Sequence, residues 1–134
     1  MRLILTTLAL IATPLAAFAQ DAVSPLDALV WLKRPVVIFA DTPNDPRFKR
    51  QMELLAEHPE ELEERDVVIM TDTNPAANSP LREALHPRDF MLVLIAKDGK
   101  VNLRKPTPWS VRELSRAIDK MPMRQDEINE SLGK

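Results

Sequence analysis

The sequence predicts an α/β fold, a four-stranded mixed sheet with helices on both faces. Three observations carry that expectation. Pro35–Ala40 and Phe90–Ile95 run apolar without alternation, as strands buried on both faces do, and Val67–Thr71 is a third β-branched run. Apolar residues recur at helical spacing between and after these runs, behind a capping residue and often a proline. Lys97-Asp98-Gly99-Lys100 turns the third strand back into a hairpin.

In chain order, Ser24-Pro25-Leu26-Asp27 joins a capping serine, a proline and an acid three residues past the cap, predicting a short helix to about Lys33. Leu26, Leu29 and Val30 give it an apolar face. Pro35–Ala40 follows as the first strand, expected in the sheet interior. Asn44 or Asp45 caps the next helix, Pro46 opens it, and Phe48, Met52 and Leu55 line it until His58-Pro59. The acidic run Glu60–Asp66 reads as a solvated connection or helix turn, since charge runs face water.

Val67–Thr71 is the second strand. Asp72-Thr73-Asn74-Pro75 makes a loop, and Ser79-Pro80-Leu81 opens a short helix that ends before Pro87. After the third strand and the hairpin, Val101 and Leu103 alternate with polar residues, as in an edge strand wet on one side. The last strong helix starts at Ser110, with Glu113 completing a capping box and Trp109 placed to staple onto Leu114. Val111, Leu114, Ile118 and Met121 line its buried face until Pro122 ends it. A right-handed crossover makes strands one and two parallel neighbours, and the hairpin packs against the other edge of strand one. That order is a thioredoxin-like architecture.

Met1–Ala19 has one positive charge at Arg2, an apolar run from Leu3 to Ala12 and the small-residue end Ala17-Phe18-Ala19. These are the parts of a secretory signal peptide cleaved after Ala19. The apolar run is shorter than the roughly 20 residues a membrane anchor needs. The expected organisation is therefore a signal over 1–19 and one thioredoxin-like domain over 20–134, without a stable membrane span, placed in the periplasm or outside the cell. Loss of Arg2 leaves 17 basic against 20 acidic residues, a near balance that argues against nucleic acid as a partner. There is no cysteine, which excludes thiol–disulfide exchange, lipid attachment through an N-terminal cysteine and Cys-ligated zinc.

Four segments, in order, resemble one bacterial family. They are WLKRPVVIFA (Trp31–Ala40), DPRFKRQ (Asp45–Gln51), LVLIAKDGKVNLR (Leu92–Arg104) and IDKMPMRQDE (Ile118–Glu127), the MPMR motif being the most specific. The chain resembles the domain of unknown function 4174 family, a thioredoxin-like family related to domains in some secreted matrix-associated animal proteins. The resemblance implies the same fold, export and a family that lacks the thioredoxin cysteine motif as a rule. It carries no activity or agreed active site. Pro87 lies near the place of the cis-proline of thioredoxins, though Arg88 and Asp89 separate it from the strand.

Ligands of open α/β sheets bind outside the carboxyl ends of the strands. Asp41 ends the first strand and Asp72 the second, with Asp45 and Arg47 in the following helix turn. A hard cation at Asp41, Asp45 and Asp72 is one reading, and ordinary loop and cap chemistry is the other. The loop Asp41-Thr42-Pro43-Asn44-Asp45 lacks the second acid of a phosphotransfer site, because Pro43 occupies that place. No phosphate-binding glycine loop or G-x-S-x-G motif occurs, and no cofactor is implied. His58 and His86 are too few for a histidine metal site, and Met121 and Met123 with His86 suggest a soft metal only weakly. The leading expectation is a non-catalytic module for an envelope protein or peptide, contacting it through Asp41, Thr42, Asn44, Asp45 and Arg47, with Arg88 and Phe90 across the crevice. The alternative is a metal- or small-ligand-dependent activity in the same acidic crevice.

Overall fold

The computed structural model describes residues 24–133; the expected signal peptide lies outside them. Strand β1 (Arg34–Phe39) is buried at every position. It pairs in parallel with β2 (Val67–Asp72), Val36 opposite Ile69, and antiparallel with β3 (Met91–Ile95), Val37 opposite Val93. Strand β4 (Val101–Lys105) closes the order β2-β1-β3-β4. The interior place of β1 and the edge place of β4 are those the apolar patterns predict.

Side chains alternate across the sheet, so β1 and β3 each supply two cores. Val36, Ile38, Leu92 and Leu94 pack with α1 (Pro46–Glu57), α2 (Pro59–Glu64) and α4 (Val111–Asp119) through Leu55, Leu62, Leu114 and Ile118. Val37, Phe39, Val93 and Ile95 pack on the other face with Leu81 and Leu85 of α3 (Pro80–Leu85). Helices thus cover both faces, and each fully buried aliphatic or aromatic side chain stabilises by about 1.5–3 kcal/mol.

Local chemistry sets the helix limits. Asp45 caps α1 by accepting the Arg47 N–H, with Pro46 at the first helical position. Ser79 caps α3, which ends on His86 in a left-handed conformation. Ser110 and Glu113 form the reciprocal capping box of α4, and Trp109 joins Leu114 in one core as a staple does. The acidic run folds as α2, with only Leu62 turned inward.

Two expectations are corrected. The helix expected from Ser24 to Lys33 is a single 3₁₀ turn, Asp27–Leu29. Trp31 adopts φ 69° and gives its N–H to the Lys97 carbonyl, so the chain is drawn into the hairpin before a helix can propagate. Pro122 stops α4 but also opens a further helix, α5 (Pro122–Ser131), because proline at the first helical position costs no hydrogen bond. No peptide bond among the described residues is cis, that before Pro87 included.

Ionic contacts hold both ends of β1. At its carboxyl end, Arg82 of α3 donates from Nη2 to the Ala40 carbonyl at 2.9 Å and from Nε to Asp72 Oδ1 at 2.9 Å, lying over the Phe39 ring. At its amino end the Arg34 side chain is sealed from solvent and makes two hydrogen bonds to Glu127 of α5, at 3.0 and 3.2 Å. Lys97 Nζ reaches the same Glu127 and Asp66, while Arg124 of α5 contacts Asp119 and Glu64. Burial acts to raise the Glu127 carboxyl, but the hydrogen bonds and charges of Arg34 and Lys97 outweigh it and hold the group at about 2.

Two predictions follow from these contacts. Arg82→Met, which keeps length but removes the guanidinium, should lower stability by roughly 3 kcal/mol in urea unfolding, since Asp72 and the Ala40 carbonyl lose their donor; unchanged stability would refute the latch. Glu127→Gln should destabilise by about 3 kcal/mol at pH 7 by leaving Arg34 buried without its counter-charge. Because the folded carboxyl is depressed, its contribution is complete above its ordinary value of 4.5 and disappears as pH falls through about 2. The gap between wild type and Glu127→Gln in thermal melts should therefore narrow with falling pH across that window, and a gap independent of pH would disprove the linkage.

Candidate functional site

The loop between β1 and α1 emerges where β1 leaves the core. Asp41, Thr42, Pro43 and Asn44 are all exposed. The loop turns on itself: Thr42 Oγ1 accepts the Asn44 N–H at 3.2 Å, and the Thr42 carbonyl accepts the Asp45 N–H at 3.2 Å. Polar side chains that bond to the backbone two residues on fix such turns without help from a regular element.

Arg47 is the centre of the site. Its Nη2 donates to Asp45 Oδ2 at 2.7 Å and to Asp89 Oδ1 at 2.8 Å, and its Nε reaches Asp45 Oδ1 at 3.1 Å. The guanidinium lies 5.6 Å from the centre of the Phe90 ring. One side chain thus joins the first turn of α1 to the segment entering β3. Those hydrogen bonds draw the Asp45 carboxyl below its ordinary value and push Arg47 above its own. Both groups stay charged across the physiological range.

The expected residues are therefore partly assembled. Asp45, Arg47 and Phe90 meet, and Asp41, Thr42 and Asn44 form the exposed rim beside them. Arg88 is exposed and makes none of the hydrogen bonds of the site; the contact across the crevice comes from its neighbour Asp89. Sequence reasoning missed Asp89 because nothing local separates two adjacent charged residues in a loop. Asp89 has φ 52°, and that turn aims the side chain at Arg47. Arg82 was also missed, since a basic residue in a short helix gives no sign of burial.

The acidic crevice is occupied by the protein's own cations. Asp72 accepts from Arg82, from the Ser79 hydroxyl and from the Asn74 N–H. Burial acts to raise its carboxyl, and these three donors outweigh it and draw it down. Asp45 is committed to Arg47, so Asp41 alone of the three carboxylates projects freely. Among the described residues, no three His, Asp or Glu side chains converge as a metal site would need. His86 ends α3 on one face of the sheet, whereas Met121 packs into the core of the other face, so the soft-metal grouping is not assembled. What remains is a polar surface with exposed hydrogen-bonding groups at its rim.

The fold has known counterparts. The reduced 2-Cys peroxiredoxin of Plasmodium vivax superposes with a TM-score of 0.60 at 14% identity, over 75% of this chain and 84% of that one. A secreted Mycobacterium tuberculosis disulfide oxidoreductase homologous to E. coli DsbE matches more loosely, with a TM-score of 0.48 at 17% identity, over 71% of this chain and 86% of that one. The first shows the thioredoxin-like fold and, at such identity, the fold alone. No curated protein matches the chain. The family model DUF4174, Domain of unknown function, matches residues 25–127, from just before the 3₁₀ turn to the glutamate that pairs with Arg34. With that match spanning all four strands and a sheet that carries no cysteine, the chain belongs to the DUF4174 family.

Proposed function

We propose that this protein is an exported, non-catalytic module that binds an envelope protein or peptide at the loop between β1 and α1. Arg47 carries the reading, because its hydrogen bonds to Asp45 and Asp89 brace two loops against each other before any partner arrives. Pre-ordering of this kind removes part of the entropy cost of association. Asp41, Thr42 and Asn44 supply the contact groups, and Arg47 and Phe90 the support. Export rests on the signal-like stretch Met1–Ala19. The absence of cysteine leaves recognition as the use of a surface where thiol chemistry is ruled out.

The test places a photo-crosslinker at Thr42 and, as control, at Arg116 on the exposed side of α4, and captures partners from native envelope. A discrete adduct should form at Thr42 and not at Arg116. Asp41→Ala and Arg47→Ala should each reduce it at least tenfold while the far-UV spectrum is retained. Identical adducts at both positions, or capture unaffected by both substitutions, would remove the loop from consideration as the binding surface.

A further inference from the structure

A second surface lies at the opposite end of the sheet, where β1 begins. Trp31 holds φ 69°, a left-handed conformation rare for a bulky residue, and the residue is 62% exposed. A tryptophan kept in that backbone state and turned to water contributes little to either core. It borders a cleft of about 370 Å³ whose apolar lining includes Val101, Met121 and Met123. A second cleft of about 370 Å³ shares Asn102, Met121 and Pro122 with the first and continues to Lys120. The two form one groove between β4 and the junction of α4 with α5.

The chemistry of the groove is lopsided. Lys100 and Lys120 are exposed at its two ends and enter no salt bridge among the described residues, while Arg34 and Lys97 deeper in are already neutralised by Glu127 and Asp66. Asp98 is the one acid of the lining, and one of its oxygens accepts the Lys100 backbone N–H. Asn102 is the extra residue of a bulge, since Leu94 and Ile95 of β3 face Leu103 and Val101 of β4. Bulges re-aim a side chain and recur at functional edges, and the Asn102 amide has no hydrogen-bond partner of its own among the described residues. Beside it, β4 has no strand on its outer edge among the described residues, and exposed Lys100 stands where the chain enters that strand. The two unpaired cations, Lys100 and Lys120, with Asp98 the one acid of the lining, favour an acidic chain in the groove over a basic one.

We infer that this groove binds an extended acidic peptide segment of a partner protein, with an apolar side chain seated between Trp31 and Met123. Its carboxylates pair with Lys100 and Lys120, and its backbone meets the Asn102 amide beside β4. Main-chain pairing at a sheet edge with pockets for alternate side chains is an established mode of peptide recognition. The groove is separate from the loop that follows β1 and does not depend on it.

The probe is the acetylated peptide Asp-Glu-Leu-Phe-Asp-Glu, titrated into ¹⁵N-labelled protein, with Lys-Lys-Leu-Phe-Lys-Lys as the counterpart. The Trp31 indole, the Asn102 side-chain amide and Met123 should shift and saturate at a Kd below about 100 μM, with Thr42 and Asn44 unmoved. The double variant Lys100→Glu, Lys120→Glu, whose dispersed spectrum reports its folding, should weaken binding at least tenfold, and the basic peptide should not bind. Absence of saturable shifts up to about 1 mM, equal affinity in the double variant, or shifts obtained with anionic phospholipid vesicles and not with the peptide would overturn the inference.

Discussion

Strand β1 is interior in every direction, with a strand on each edge and a core on each face. Such a strand has no contact with water along its length, so the polar groups at its two ends must be satisfied by other parts of the chain. Two arginines do this from opposite sides. Arg82 reaches the Ala40 carbonyl where β1 ends, and Arg34 starts the strand while pairing with a glutamate far along the sequence. Around these fixed ends, the β1–α1 loop and the Trp31 groove become the places where chemistry can face outward.

The two poles differ in kind. At the carboxyl end, each arginine closes on acids of the neighbouring loops: Arg47 on Asp45 two residues away and on Asp89 before β3, Arg82 on Asp72 at the end of β2. Those pairs tie the loops to one another and leave Asp41, Thr42 and Asn44 facing outward. At the amino end the ion pairs are long in sequence, joining β1, the start of β2, the end of β3 and α5. Buried ion pairs contribute less to net stability than to the uniqueness of an arrangement, because desolvation offsets much of the attraction. Here they specify where α5 lies.

Much of the fold was legible because period and punctuation act locally. The unbroken apolar run Val36–Phe39 announces an interior strand, and Ser110 with Glu113 announces a helix start, whatever the remainder of the chain does. The missed features are those decided at a distance. The turn before β1 is shortened by a hydrogen bond from Trp31 to the hairpin, and α5 is recruited by Arg34, so neither shows in its own residues. The site follows the same rule. Asp45 and Arg47 carry a cap signature, whereas the choice of Asp89 over Arg88 depends on a left-handed backbone that sequence does not display.

The means by which α5 is attached has a consequence for the order in which the molecule opens. Its buried residue is Arg124, a charged side chain, and the helix adds no aliphatic residue to either core. Elements held by few apolar contacts open at lower free energy than the core, as separate cooperative units. The last helix is such a unit: its amides are expected to exchange with solvent sooner than those of β1. Native-state hydrogen exchange reads this directly, and protection of α5 equal to that of β1 would contradict it. When that helix lifts, the groove beside Trp31 loses Pro122 and Met123 from its wall, so the amount of that surface present at any moment follows the opening of α5.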